Sequence, residues 1–580
     1  MTGSLGEAGP ASGELSASEA IGSVLAAAEP VSPRLLGELI ERLESSGQLP
    51  AVEAVGRRRA AERRAELQIR GVTSDSRQVR SGFVFVAVPG VHADGHDFVA
   101  SAASSGAAVA IVDRPVDGAA LPQVLVKDTR RALATAAAWW YGDPSRELGI
   151  VGITGTDGKT TTSFLATAVL EAAGISTGLI TTAAAKVGSL RTANPEHVTT
   201  PEAPQLQRIL RAMVAAGNEA AVVETTSHGL ALNRVAEIAY DAAIFTNLTH
   251  EHLELHGTFE AYRDAKLSLF RRLGQDAPAK RTAQPWPSVA IVNADDPAAP
   301  LFVEAARAAG ARVLTYGETA PADVLAVDVA EGARSMRVEV ATPRWRGRVD
   351  LKLVGRFNVH NALAAIALGE ALDLNGDIVR AALASVEGVP GRMERVDCGQ
   401  PFGVIVDYAH SPASLEKVLD VLAPMAAAGG GGLIAVFGSA GERDVRKRPM
   451  MGRIAAERCR VVVVANEDPR GEDAMAIIDE IAAGAEAAVS SATSAAAAEG
   501  PGGPPAREIL RIADRREAIE AAFERARPGD VVLLAGKGHE QTIIMAGGPI
   551  PWDERSQAVR ALERLGYRSD GGGMPGSEGN

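Results

Sequence analysis

Cysteine is nearly absent, with Cys398 and Cys459 the only two in 580 residues. Two thiols build neither a disulfide framework nor a Cys-rich zinc site, so both read as ordinary reduced thiols. Aromatic residues are scarce, at 4 % against 46 % apolar overall. That balance suits an Ala/Val/Leu-rich soluble α/β protein and excludes a disordered chain. No apolar run reaches the roughly 18 residues that a membrane helix needs, and no basic-then-apolar leader opens the chain. No membrane insertion is expected, and the cytoplasm is the expected location. Positive charge is short as well: 59 Lys and Arg stand against 72 Asp and Glu, for a net charge of −13. A nucleic-acid binder normally carries a basic face, so that class is disfavoured. The balance fits a protein that meets an anionic small substrate with a local cluster of cations.

The chain is too long for one core, and three or four domains are expected. Residues 1–30, rich in Gly, Ala, Ser and Glu, read as a loose extension, and Arg57–Arg64 as a charged helical stretch. Buried strands are predicted at Phe83–Val88 and Ala107–Val112, with a helix near Val99–Gly106 between them. Such alternation implies a parallel sheet. A second α/β unit opens with a strand at Leu148–Ile153 and continues through Ala220–Val223, Ala242–Phe245 and Val289–Val292. A third follows Pro390-Gly391-Arg392, with strands at Val404–Val406, Leu433–Phe437, Val461–Val464 and Val531–Leu534. The predicted divisions are 1–65 as a partly disordered extension, 66–134, 135–391 and 392–567 as α/β domains, and 568–580 as a disordered tail. Gln275–Pro287 reads as a polar insertion, and 487–505, rich in Ala, Ser, Gly and Pro, as a flexible surface insert.

The segment Thr154-Gly155-Thr156-Asp157-Gly158-Lys159-Thr160-Thr161 follows a predicted strand and opens a helix. Gly155 and Gly158 let the backbone turn and aim its amides at phosphate oxygens. Lys159 is placed to bridge the β- and γ-phosphates, and the Thr160 hydroxyl to hold Mg²⁺. The ordinary P-loop spacing needs glycine at 153, where this chain has Ile153. The shorter Gly-Thr-x-Gly-Lys-Thr-Thr form resembles that of the Mur ligase family, whose members join a carboxylate to an amine through an acyl-phosphate. Asp157 departs from the asparagine usual there.

Other segments follow in the family's order. By resemblance, Thr160 and Glu224 hold one Mg²⁺, and His252, from Thr-His-Glu-His-Leu, holds a second. Lys266, in Tyr-Arg-Asp-Ala-Lys, corresponds to the lysine that reacts with CO₂ to give a carbamate and an oxygen ligand for that ion. His228 is a candidate catalytic base. Asn293, Asn361, Arg392 and Asp407 join Gly155 to Thr161 as ATP contacts.

The N-terminal piece points to the MurE branch of the family, which adds the third residue of the peptidoglycan stem peptide. Thr73-Ser74-Asp75-Ser76-Arg77 and Asp94-Gly95-His96-Asp97-Phe98 resemble its UDP-binding domain. Ser74, Ser76, Val91, His92 and Ala93 are expected to face the UDP group. Thr199, Thr200, Ser227 and Arg234 are expected to hold the muramoyl-dipeptide, although Val198 and Leu232 replace the usual Asn and Gln. Arg443, Glu467, Asp468, Pro469, Arg470, Gly536 and Glu540 match the pocket for the incoming amino acid, in the C-terminal Rossmann-like domain. The tetrapeptide Glu467-Asp468-Pro469-Arg470 stands where diaminopimelate-adding enzymes have Asp-Asn-Pro-Arg. Arg470 favours meso-diaminopimelate, because a guanidinium grips a carboxylate with two hydrogen bonds. Asp468 favours an ammonium-terminated residue, so lysine and ornithine stay open. The expected partners are therefore UDP-MurNAc-L-Ala-D-Glu and a diamino acid, acted on by a monomer. The competing readings are a folylpolyglutamate- or cyanophycin-synthetase type of ligase, a plain P-loop ATPase or kinase, and a catalytically silent binding protein.

Overall fold

The computed structural model describes residues 17–49, 66–90, 93–194, 198–249, 253–274, 279–319, 321–332, 335–499 and 508–568. Val91, His92 and His252, the Arg57–Arg64 stretch and the tail from 569 lie outside them. The chain divides into two units: residues 1–327, 339–347 and 360–383 in the first, and 328–338, 348–359 and 384–580 in the second.

The first unit opens with two amphipathic helices, Ala17–Ala27 and Leu36–Ser45. Ile21 and Leu25 pack in a core with Ile209 and Met213. Leu36, Leu39 and Leu43 pack in another with Ile69, Val84, Val109 and Trp139. The loose extension expected over 1–30 is thus corrected for its described part from residue 17, and within the partly disordered extension expected over 1–65 residues 17–49 are ordered and packed. Apolar residues three and four apart form one buried stripe even inside a Glu/Arg/Ser-rich stretch. The following sheet is wholly parallel, in the order Gly71–Thr73, Phe83–Val86, Val109–Val112, Gln123–Leu125.

The main sheet runs Leu190–Ala193, Ala184–Val187, Thr177–Ile180, Ala220–Glu224, Gly149–Thr154, Ala242–Phe245, Val289–Asn293 and Arg312–Gly317. It continues through Val324–Glu331, Met336–Ala341 and Arg346–Leu351, the strands within which the unit boundaries fall. From Thr177–Ile180 to Arg312–Gly317 every pair is parallel. The β-branched and Ala-rich strands read as continuous apolar runs because both of their faces are buried. Their carboxyl ends therefore meet along one edge, where open α/β sheets bind ligands.

The opposite edge is closed by the segment that reads as an insertion. Lys280 Nζ donates to the carbonyls of Ser145, Leu148 and Ala239 and lies 2.6 Å from Asp241 Oδ2. Asp241 also accepts from the Ile150 amide at 2.7 Å. The Trp286 ring lies so close to Gly149 that a Cβ there would sit 1.8 Å from it. The described part, 279–287, is thus packed under the sheet.

The second unit carries its own sheet, ordered Glu394–Arg395, Gly403–Asp407, Val531–Ala535, Leu433–Phe437, Val461–Val464, Glu508–Arg511. All its pairs are parallel except the first. The insert expected over 487–505 is corrected in its first part: helix Ala474–Glu499 runs through it. Alanine has the highest helix propensity, and Ile477, Ile478, Ile481 and Ala482 anchor the preceding turns in the core. Residues 500–507 lie outside the described residues. Among the described residues no helix is long and apolar enough to cross a membrane.

Burial pushes the Asp241 carboxyl up and the Lys280 ammonium down, and the charge of each opposes the other's shift. Lys280→Met leaves a buried carboxylate without its cation, which costs about 3–5 kcal/mol. Denaturant unfolding should show that loss, and Asp241→Asn in the same chain should recover part of it.

Candidate functional site

Strand Gly149–Thr154 ends in the loop 155–158, and helix Lys159–Ala172 begins at once. Gly155 and Gly158 both have positive φ, 154° and 81°. A Cβ on Gly155 would stand 1.8 Å from Thr246 Oγ1, and one on Gly158 2.4 Å from Asn361 Oδ1. Glycine is therefore required twice, by space as well as by torsion. The loop is held by the neighbouring strand end. Asn247 Oδ1 accepts from the Asp157 amide at 2.8 Å, and Thr246 Oγ1 donates to the Asp157 carbonyl at 2.6 Å. The Thr156 amide donates to the Asn247 carbonyl at 2.8 Å. Thr156 Oγ1 lies 3.0 Å from the Tyr262 hydroxyl and accepts from the Thr249 amide.

Two ammonium groups reach the same carbonyl. Lys159 Nζ donates to Gly155 O at 3.2 Å and Thr156 O at 2.7 Å. Lys266, 1 % exposed, donates to Gly155 O at 2.6 Å and lies 4.5 Å from the Tyr262 ring centroid. The cluster is a local positive site at a helix N-terminus, in a chain that is acidic overall.

Beside it, Thr160 Oγ1 donates to Glu224 Oε2 at 3.0 Å. That carboxylate also takes the Thr182 amide at 3.0 Å. Thr182 Oγ1 lies 2.8 Å from Thr199 Oγ1, and Thr200 Oγ1 donates to the Glu224 carbonyl at 2.9 Å. A hydroxyl and a carboxylate at this distance are the hard oxygen donors that Mg²⁺ takes, so the residues fit that ion. The second expected ion relies on His252, outside the described residues; among those described, no group of three or more His, Cys, Asp or Glu could hold a metal. Ser227 and His228 open the short helix Ser227–Ala231, with His228 5.7 Å from His256, centroid to centroid. Arg234 is tied to Glu202 at 2.6 Å and donates to the Thr200 carbonyl, so it braces the 200–202 turn.

The other nucleotide contacts expected in this unit lie at the same sheet edge. Asn293 Nδ2 donates to the Thr246 carbonyl at 2.7 Å. Asn361 accepts from Thr162 Oγ1 at 3.1 Å. Thr161 sits in the first turn of the loop helix, beside Thr160. In the small sheet, Ser74 and Ser76 are half-buried on the turn after Gly71–Thr73. Ala93 lies in the Pro89–Asp94 turn, where Gly90 N donates to Ala93 O. Buried His96 stands between Asp94 at 2.7 Å and Asp113 at 3.1 Å, and its amide and ring hold the Asp94 carboxyl far below the usual range.

In the second unit, Asp407 is buried, and burial pushes its carboxyl up while Arg392 opposes the shift. Its oxygens accept from the Met393 and Ala409 amides, both at 2.8 Å, so it fixes these two turns. The Arg392 guanidinium lies 4.9 Å from the Tyr408 ring centroid.

The loops expected to take the amino acid meet at one end of this sheet. Gly441 N donates to Asp468 O at 2.8 Å, and a Cβ on Gly536 would touch Glu467 Oε2 at 3.1 Å. Buried Lys537 lies 2.8 Å from Asp468 Oδ1 and 2.5 Å from Glu540 Oε2. Tyr408 donates its hydroxyl to Glu540 Oε1 at 3.2 Å. Pro469 is buried, and Arg470, at φ 55°, donates its amide to Ile544 O. Glu467 Oε2 is buried and takes no hydrogen bond among the described residues. Arg443 is exposed, and neither it nor Arg470 has an acidic partner among them. Sequence reading missed Thr182, Thr246, Asn247, Tyr262 and Lys537. Tyr262 and Lys537 carried a signal, lying inside the Tyr262–Lys266 and Gly536–Glu540 motifs, and Thr246 and Asn247 open the segment that runs on to His252; Thr182 carried none.

Comparison with known proteins identifies the family. The Mur ligase family's catalytic domain matches residues 68–141, its middle domain 153–369 and its glutamate ligase domain 391–538. The UDP-N-acetylmuramyl-tripeptide synthetase of Roseiflexus sp. strain RS-1 is 47 % identical over 506 residues, 86 % of this chain and 96 % of that protein. The UDP-N-acetylmuramoyl-L-alanyl-D-glutamate–2,6-diaminopimelate ligase of Geobacillus kaustophilus strain HTA426 is 40 % identical over 492 residues, 85 % of this chain and 94 % of that protein. A solved structure of a ligase with that same name matches with a TM-score of 0.59 and 27 % identity, covering 89 % of this chain and 98 % of the other. The chain thus belongs to the Mur ligase family of amide-forming enzymes, which use ATP and Mg²⁺.

Proposed function

We propose that this enzyme adds a diamino acid, meso-diaminopimelate before lysine or ornithine, to UDP-MurNAc-L-Ala-D-Glu. It does so in the cytoplasm, as a monomer, in building the peptidoglycan precursor of the cell wall. The observation that carries the reading is the convergence of Lys159 and Lys266 on Gly155 O, beside the Thr160–Glu224 pair and the Thr199-Thr200 turn. That convergence suits a triphosphate and a carboxylate reacting side by side.

On nucleotide binding, Lys159 exchanges the loop carbonyls for β- and γ-phosphate oxygens. Thr160 and Glu224 would hold one Mg²⁺, and His252 with carbamylated Lys266 a second; the ions supply charge neutralisation on the phosphates. A carbamylated Lys266 keeps one N–H, enough to retain the bond to Gly155 O. The D-Glu carboxylate oxygen attacks the γ-phosphorus, the bond to the β,γ-bridging oxygen breaks and ADP leaves. The amine nitrogen then attacks the acyl carbon and phosphate departs. The amine gives up a proton, for which His228 is the candidate acceptor. Fixed positive groups supply most of the acceleration. Ser74, Ser76 and the 91–93 turn take the UDP group.

The choice of diaminopimelate rests on a charge inventory. Asp468 and Glu540 share the Lys537 cation, so neither is fully available to an incoming ammonium. Arg443 and Arg470 are open to carboxylates, and Glu467 Oε2 to one ammonium. Besides the reacting amine, meso-diaminopimelate offers two carboxylates and one ammonium, whereas lysine and ornithine offer one of each.

Purified enzyme given ATP, Mg²⁺ and the UDP-dipeptide with each amino acid separately should yield the diaminopimelate product fastest, as weighed by mass spectrometry. Equal or faster lysine or ornithine product would reverse the choice. Phosphate release without any amino acid, at the full rate, would favour a plain ATPase. Lys159→Ala should lower turnover by about 10²–10³-fold or more and weaken ATP binding. Lys266→Ala should be inactive and partly restored by small carboxylates; an unimpaired variant would remove the carbamate.

A further inference from the structure

One fully buried ion pair contacts the residues that lead into the amino-acid loops without belonging to them. Arg515 and Glu554 begin two neighbouring helices, Arg515–Arg525 and Glu554–Arg564, and both side chains are 0 % exposed. The Arg515 Nε and Nη2 groups grip Glu554 at 2.7–3.1 Å. Trp552 Nε1 donates to the same carboxylate at 2.6 Å. The two remaining contacts go to backbone: Nη1 donates to Asn466 O at 3.1 Å and Nη2 to Ala535 O at 2.6 Å.

Those two carbonyls have particular places in the chain. Asn466 immediately precedes Glu467-Asp468-Pro469-Arg470, and Ala535 immediately precedes Gly536-Lys537-Gly538-His539-Glu540. Their strands, Val461–Val464 and Val531–Ala535, are not neighbours, since Leu433–Phe437 runs between them. Sheet hydrogen bonding therefore does not tie their ends to each other directly. One planar guanidinium does so through the two carbonyls, while Asp468–Lys537 does so through side chains of the loops themselves. A guanidinium can serve a carboxylate and two carbonyls at fixed angles; an ammonium cannot hold that fork.

We infer that Arg515 is a positioning residue for the amino-acid pocket: it sets the spacing between the 467–470 and 536–540 loops and so tunes affinity and choice for the amino acid. This rests on the reading of those loops as the amino-acid site. Glu554 orients the guanidinium and neutralises it, so that burial is tolerated.

The test is steady-state kinetics of the full-length enzyme, with each of the three substrates varied in turn. Arg515→Lys should raise KM for the amino acid about tenfold or more, with KM for ATP and for the UDP-dipeptide within about twofold of wild type. The diaminopimelate-to-lysine ratio should fall with it. A purely structural role predicts the opposite split: kcat falls with the folded fraction and every KM stays put, which would overturn the inference. Glu554→Gln, which keeps an acceptor for Arg515, should shift the amino-acid KM in the same direction by less. If Arg515→Lys does not fold, the KM pattern of Glu554→Gln decides by the same criterion. A wild-type enzyme that ligates no diamino acid defeats the underlying reading and this inference with it. An active wild type with unchanged amino-acid KM in the variants defeats the inference alone.

Discussion

The loop between strand Gly149–Thr154 and helix Lys159–Ala172 is organised around one oxygen, the Gly155 carbonyl. It is accessible because Gly155 has no side chain where Thr246 crosses, so the strand can stop and turn within one residue. Two lysines from different helices donate to it. Two ammonium groups drawn to one carbonyl repel each other, and the repulsion is strong where solvent is excluded. An anion placed between them relieves it, and so does conversion of one ammonium into a carbamate. The backbone of the loop is itself held by Thr246, Asn247, Thr156 and Tyr262, so the two lysines meet a fixed carbonyl.

The second unit solves the inverse problem. Where the 467–470 and 536–540 loops meet, two carboxylates share one buried lysine: Lys537 lies within bonding distance of both Asp468 and Glu540. Asp468 Oδ1 also takes the Ile544 amide, so it is held from two sides. The carboxylate at this position is thereby converted from a free charge into part of the wall. Beside this pairing, Arg443 and Arg470 have no acidic partner and Glu467 Oε2 no hydrogen bond among the described residues, a local excess of positive charge in a chain with a net charge of −13.

How much of this could be read from sequence follows the range of the interactions. The strands at Ala242–Phe245, Leu433–Phe437 and Val461–Val464 fall where their apolar runs place them, because a strand buried on both faces writes itself locally. The phosphate loop was legible for a related reason: strand, glycines, lysine and helix are contiguous. The helix at Leu36–Ser45 was not, since three leucines among Glu, Arg and Ser say little until their partners at Val84 and Trp139 are known. Helix Ala474–Glu499 was misread because Ala and Ser runs suit both a helix and a loose linker, and only the preceding isoleucines decide. Lys280, Lys537 and Arg234 carry charges whose meaning depends on residues 39, 69 and 32 positions away. Composition has no access to such pairings.

Asp157 shows how a departure from the family pattern is absorbed. A carboxylate in a phosphate loop repels a triphosphate if it faces the site. Here the loop conformation at residue 157 is carried by the backbone: the amide goes to Asn247 Oδ1, and the carbonyl receives both Thr246 Oγ1 and Asn247 Nδ2. The residue itself is exposed. Those backbone bonds set the conformation of the turn at this residue, and at an exposed position its charge is screened by water and salt. The asparagine that matters for the loop is Asn247, on the next strand, and it is present. The substitution thus changes the charge at an exposed position of the loop, while Gly155, Gly158, Lys159 and Thr160, on which the turn and the helix start are built, keep the family's form.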